Sequence, residues 1–468
     1  MFTRNFAVRR ATAGGLAICA VLLAQGPSRP EAPAGAVRLL RFSEAQEVLT
    51  RFVDSGQGDL VGAQLRDAAD WDRWVRALDQ GVRRRIDRGT EDSISNFILY
   101  GASFTTLPRL GNFQGAAPAN GEVSEDARAR VHALRLALGN PGENERLRFI
   151  KGYLAQRGVS GESLESYLSA NLRRFVFEQR DYQEKLSRAA QARDVGDLLA
   201  TRGTLFAKRG LSIDTSLLPN FALEDTLRAL ARKAVLAPGS IRRIVVVGPG
   251  LDFTDKRDGY DFYPLQTLQP FAVLEAVLRL KLAAPESIEV VTLDLNPLVN
   301  EHVQRLAERA RAGGPYVVQL PRVRDAGWNS QALDYWQHFG EIIGSATPPL
   351  PVPASLGSVT LRAVAIDPRY AARLEAVNLD IVAETLDPAP QAGFDLVIAT
   401  NVLVYYDRFA QALAMAAIAH LMNPGGVFLA NAVLPTQHPP ELEYLGRRSV
   451  SYSSSGAYGD DVVVYRRL

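Results

Sequence analysis

Ile244-Val-Val-Val-Gly-Pro-Gly250 is the stretch on which the fold turns. Four consecutive apolar residues suit a strand buried on both faces of a parallel sheet, whereas a strand with one wet face would alternate. Gly248 and Gly250 follow directly. Glycines at the carboxyl end of a strand let the backbone approach a ligand, in the crevice where open α/β sheets bind theirs. Taken alone, the pair reads equally as a plain tight turn. Phe253 stands at the third glycine of a G-x-G-x-x-G fingerprint, which argues against a pyrophosphate cradle.

Downstream, the pattern of strand and helix repeats. An apolar helix is expected over 264–282, with Pro264 in its first turn. A strand follows over 288–293, then a helix with Val299, Val303, Leu306 and Ala310 on one face, stopped at Gly313-Gly314-Pro315. Further strands are expected at 380–383, 394–399 and 426–432, with an all-apolar helix at 410–421. The segments 449–453 and 462–466 flank a Ser/Gly turn and suggest an antiparallel pair. Alternating strands and helices predict a doubly wound, mostly parallel α/β sheet. An insertion over about 316–376 carries Trp328, Tyr335, Trp336 and Phe339, which suit a substrate lid or the insertion's own small core equally. Its Pro-rich run at 348–353 reads as an extended linker.

Three pieces join the glycine turn. Asp294 ends the second strand in Val-Thr-Leu-Asp-Leu-Asn-Pro, where a carboxylate can accept both ribose hydroxyl protons of a bound adenosine. Asn296 before Pro297 is explained as a helix N-cap. Phe394-Asp-Leu-Val-Ile-Ala-Thr-Asn-Val-Leu-Val-Tyr-Tyr-Asp407 is a buried strand whose end presents Thr400, Asn401, Tyr405, Tyr406 and Asp407. Leu421-Met-Asn-Pro-Gly-Gly-Val-Phe428 makes a helix-to-strand turn.

On these residues the chain resembles the class I S-adenosylmethionine-dependent methyltransferases over about 241–468. Asn401-Val-Leu-Val-Tyr-Tyr-Asp407 is most similar to the chemotaxis receptor methyltransferases, although Thr400 replaces that subfamily's usual arginine and the helical half does not resemble theirs. The resemblance implies a seven-stranded sheet with a reversed last strand and S-adenosylmethionine as cofactor. It also implies in-line attack on the sulfonium methyl, a reaction that needs mostly positioning. The cofactor-binding candidates are Gly248, Gly250, Asp252, Asp294, Glu384 and Asn401. Tyr405, Tyr406 and Asp407 are the catalytic candidates. Either tyrosine could give the sulfonium a cation–π contact, one of the two packing on the sheet instead, and Asp407 serves as a base or caps the next helix. The acceptor is a small molecule or a protein. Two other readings compete: a methyltransferase-like scaffold without catalysis, and a nicotinamide-dependent oxidoreductase, which Phe253 and the reversed strand weaken.

Upstream, 37–236 reads as a helical domain. Ala127, Val131, Leu134 and Leu138 share one helical face, Leu164, Leu168, Leu172 and Phe175 a second, and Leu223, Leu227, Leu230 and Ala234 a third. Pro238-Gly239-Ser240 marks the boundary, with both sides expected to be separately compact. Before them, 1–26 reads as a signal-like leader: Arg4, Arg9 and Arg10, then an apolar run at 11–24 too short for a comfortable span. It implies export or anchoring, in tension with a cofactor kept in the cytoplasm; a cytoplasmic product with a spurious leader is the alternative. The chain of 468 residues is 47% apolar and 22% charged, with 53 basic against 51 acidic side chains. That is an ordinary globular balance without the basic stripe of a nucleic-acid binder. Cys19 alone cannot make an internal disulfide or a thiolate zinc site, and the five histidines show no metal-ligand spacing.

Overall fold

The computed structural model describes residues 36–54, 65, 67–110, 123–191, 210–254, 260–324, 326–387, 393–431, 439–456 and 458–468. The leader and Cys19 lie outside the described residues. Among the described residues a short strand, β1 (Ala36–Leu39), precedes helices α1 (Phe42–Phe52), α2 (Ala68–Tyr100), α3 (Glu125–Gly139), α4 (Glu145–Gln156), α5 (Ser163–Gln191) and α6 (Leu218–Arg232). Then β2 (Arg243–Val247), α7 (Gln269–Arg279), β3 (Glu289–Asp294) and α8 (Pro297–Arg311) alternate. The insertion supplies β4 (Tyr316–Val323), α9 (Ser330–His338), β5 (Gly344–Thr347), β6 (Val359–Ile366) and α10 (Pro368–Ala371). The chain closes with β7 (Leu374–Asn378), β8 (Glu384–Asp387), β9 (Phe394–Ala399), α11 (Arg408–Leu421), β10 (Met422–Ala430), β11 (Leu442–Ser451) and β12 (Gly459–Arg467). No helix among the described residues is long and apolar enough to cross a membrane.

Seven strands form one mixed sheet in the order β11-β12-β10-β9-β2-β3-β7. From β10 to β7 every neighbour is parallel, while β12 runs antiparallel to both β10 and β11. Strand β2 lies in the sheet's interior, between β9 and β3, and is dry on both sides. Ile244 and Val246 enter the core shared with α6, α7 and α8; Val245 and Val247 face α1 and α11. The period of two assigns each face.

Two expectations are corrected, and one open alternative is decided. The sheet's outer parallel strand is β7 at 374–378, not 380–383. There the Asp380 carboxylate accepts the Val382 N–H at 2.9 Å and its carbonyl the Glu384 N–H at 2.7 Å, a local turn that ends the strand. The helix expected over 264–282 is shorter, because Pro270, not Pro264, occupies its first turn. The insertion's aromatics are core: Tyr335, Trp336 and Phe339 are buried, and the Trp336 indole donates to the Leu320 carbonyl at 3.0 Å.

Rather than two separately compact halves, Gly35–Leu468 is one compact unit. The C-terminal half of α2 shares a core with α3, α4, α5, Leu251 and Phe253. At its centre two backbones touch. A Cβ on Gly89 of α2 would lie 1.7 Å from the Leu211 carbonyl oxygen, and one on Gly210 2.4 Å from the Gly89 nitrogen. Gly89→Ala is therefore expected to cost roughly 2–4 kcal/mol. Gly152→Ala, on an exposed face of α4 with nothing within 4 Å, should add roughly 0.5–1 kcal/mol. Urea unfolding of the two variants reads these opposed signs, and an unchanged midpoint for Gly89→Ala would refute the tight seam.

Candidate functional site

Beyond the carboxyl ends of β2, β3 and β9 lies an open pocket, in the crevice where sheets of this kind bind small molecules. Its floor is the glycine turn. Gly248 and Gly250 both hold left-handed backbone, φ +67° and +65°, which side-chain-bearing residues rarely adopt. Neither could carry a side chain: a Cβ on Gly248 would lie 2.4 Å from a Val402 methyl, and one on Gly250 2.8 Å from the Ile213 carbonyl oxygen.

Asp294 stands beside this turn. Its carboxylate accepts the Asn296 N–H at 2.8 Å and also the N–H groups of Gly250 and Leu295. Burial nevertheless pushes its pKa up from 3.8 to about 6, the three donors pulling the other way. Directly after β9 come Thr400 and Asn401. The Gln269 amide donates to the Thr400 hydroxyl at 2.6 Å, and Asn401, at φ +58°, exchanges hydrogen bonds of 2.7 and 2.6 Å with Asn431. Leu379 and Ile381, after β7, give an apolar wall.

Tyr405 and Tyr406 both line the pocket. Tyr406 is the one packed on the sheet; burial drives its hydroxyl well above the usual range, and the Arg85 guanidinium sits 5.7 Å over its ring. Arg85 also donates to the Tyr405 carbonyl at 2.7 Å. Three candidates are corrected, since none lines the pocket. Asp252 is buried, accepting from the Tyr263 hydroxyl and the Gln266 amide, each at 2.9 Å. Glu384 pairs with Arg83 at 3.0 Å and accepts the Asp380 N–H at 2.8 Å. Asp407 caps α11 through the Ala410 N–H at 2.9 Å, in keeping with the capping reading.

The helical half supplies the remaining wall: Ile86, the run 211–215 and Pro219. Sequence periodicity missed these residues. The available signal was the polar run Glu91-Asp-Ser-Ile-Ser-Asn96 inside a long helix, where Ser93, Ser95 and Asn96 are buried. Buried polar groups demand partners. Among the described lining residues Asp214 and Asp294 are anionic, and none is Lys, Arg or His. No group of three or more potential metal ligands occurs among the described residues.

Neither a protein-family model nor a curated protein sequence matches the chain. Among solved structures it is similar to the N-methyltransferase NodS from Bradyrhizobium japonicum, at 11% identity and a TM-score of 0.26, over 53% of this chain and 97% of that one. It is similar to TrmN from Thermus thermophilus at 13% identity and 0.26, over 53% and 52%. The glycopeptide N-methyltransferase MtfA, complexed with S-adenosyl-L-methionine, aligns at 13% and 0.26 over 55% and 96%. Overlaps this weak carry nothing about activity.

Asp294 links the pocket to pH. Its folded pKa of about 6 exceeds the unfolded value of roughly 3.9. Between about pH 4 and 6 the native state keeps a proton that the unfolded chain has released, so stability falls as pH rises. Asn cannot ionise. The stability of wild type relative to Asp294→Asn should therefore fall across that window and level off above it; parallel urea titrations with a pH-independent difference would refute the raised pKa.

Proposed function

We propose that the chain is an S-adenosylmethionine-dependent methyltransferase whose acceptor, a small molecule or a protein, binds where the helical half closes the pocket. One observation carries this reading: a ligand crevice at the glycine turn lined by two carboxylates and, among the described residues, by no cationic side chain. Such a lining suits a cationic adenosine derivative and repels a pyrophosphate. The helix that would aim its N-terminus at a phosphate is also displaced, because α7 begins only at Gln269. A nicotinamide dinucleotide is thus disfavoured twice.

The residues present fit the cofactor. The side-chain-free turn at Gly248 and Gly250 admits close approach, Asp294 offers carboxylate oxygen to a ribose diol, and Leu379 and Ile381 offer an apolar wall to a purine. When bound, the cofactor supplies a methyl group already activated as a sulfonium. The chain's part is to hold and to shield. Tyr405 presents an aromatic face suited to a sulfonium charge, while Ile86, Leu211, Ile213 and Pro219 add an apolar wall from the helical half. With Asp407 committed to a helix end, this pocket works by positioning rather than by a general base on that residue.

Calorimetric titration tests it. S-adenosylhomocysteine should bind the wild type and NAD should not; the reverse would overturn the reading. Asp294→Ala should weaken S-adenosylhomocysteine at least roughly tenfold, the worth of one charge-assisted hydrogen bond. Diol protons favour the ionised carboxylate. Affinity should thus rise with pH up to about 6 and flatten above it, a dependence that Asp294→Ala removes.

A further inference from the structure

Asp214 is a pocket carboxylate that the ribose does not need. It lies in a segment of irregular backbone before α6, yet its position is fixed from three sides. The hydroxyl of Ser212 donates to its carboxylate at 3.1 Å, the Asn96 amide at 3.4 Å and the Ser93 hydroxyl at 3.5 Å. Ser93 and Asn96 are almost fully buried, at 0% and 1% exposure. They sit toward the C-terminal end of α2 (Ala68–Tyr100), at positions facing a core, where apolar side chains would pack at less cost. Beneath them, the Gly89–Gly210 contact and the hydrogen bond from Leu211 N–H to the Arg85 carbonyl, 2.9 Å, lay the segment onto the helix backbone.

Asp214 is also registered against the glycine turn. Leu251 donates its N–H to the Ile213 carbonyl at 2.7 Å, and Thr215 donates to the Leu251 carbonyl at 3.1 Å. Asp214 and Leu251 thus form an isolated parallel bridge. Asp294 accepts the N–H of the preceding residue, Gly250. Two carboxylates from opposite halves of the chain therefore flank one turn. The strand feeding that turn, Arg-Ile-Val-Val-Val247, brings no carboxylate of its own.

We infer that Asp214 receives the α-ammonium of the cofactor's amino-acid arm, through a charge-assisted hydrogen bond, and so selects adenosyl amino acids over simpler adenosyl thioethers. The inference rests on the methyltransferase reading and deepens it. Asp294 takes the diol. The arm, leaving the other end of the ribose, carries an ammonium that needs an anion, and Asp214 is the second one in the described lining. The helical half then contributes to cofactor choice as well as to the acceptor side.

The test uses the full chain and three probes: S-adenosylhomocysteine, its desamino analogue, and 5′-methylthioadenosine, which keeps the adenosine and thioether but lacks the arm. In wild type the desamino analogue should bind at least tenfold more weakly than S-adenosylhomocysteine. Asp214→Asn should weaken S-adenosylhomocysteine by a similar factor while 5′-methylthioadenosine changes less than twofold. Equal wild-type affinity for S-adenosylhomocysteine and its desamino analogue would overturn the assignment without any variant. An Asp214→Asn protein that binds S-adenosylhomocysteine normally, or loses both ligands alike, would overturn it too. Failure of every probe on wild type would instead remove the methyltransferase reading, and the assignment with it.

Discussion

Main chain meets main chain at the heart of this protein, with no side chain between. Helix α2 touches 210–211 at Gly89, and 213–215 touches the glycine turn at Gly250 and Leu251. These contacts set the distance between the helical half and the sheet, and the pocket is the space they leave. Side-chain grips then fix the loop beyond the turn. Arg146 of α4 donates to the carbonyls of Asp252, Phe253 and Tyr263; Glu145 accepts the Leu265 N–H at 2.7 Å; Asp261 accepts the N–H groups of Ala102 and Ser103 at 2.8 and 3.0 Å. A guanidinium serving only carbonyls on one loop behaves as a staple, and burial of that arginine is tolerable because its donors are used.

What could be read from the sequence was whatever depends on near neighbours. The apolar run at 244–247 announced a doubly buried strand, and the glycines after it announced their turn. Asp294 was placed correctly beside the turn, because adjacent parallel strands bring their carboxyl ends together. Illegible were the features made by distant partners. Asp252 and Glu384 looked like ligand carboxylates until Tyr263, Gln266 and Arg83 were seen to occupy them. Asp214 carries no local signal, because Ser93 and Asn96, more than a hundred residues earlier, hold its carboxylate. The outer strand was misplaced at 380–383 since Ile381, Val382 and Ala383 carry strand-like composition, and one Asp380 hydrogen bond to Val382 outweighs it.

Burial governs the electrostatics around the pocket. Both Asp294 and Asp380 are raised, to about 6 and about 7, chiefly by desolvation. Carboxylates so poised are held between forms near neutrality. Arg85, itself lowered by burial, lies close enough to Asp380 and Tyr406 for its charge to be felt at both. Helix α2 thus contributes a wall, a brace for Asp214 and a cation behind the tyrosines.

The pairing of β1 with β8 has a consequence in time. Leu39 sits opposite Glu384, some 345 residues later, and the Leu40 N–H reaches the Ala383 carbonyl at 2.9 Å. Helix α1 likewise waits for α11, against which the Phe52 ring meets Phe409 at 5.4 Å. At ribosomal speed the first strand stays unpaired for roughly 17–70 s while its partner is made. An open edge and an uncovered apolar helix invite association with other chains during that interval. The earliest described segment is therefore among the last to be locked, and translation speed across the sheet bears on the yield of native protein.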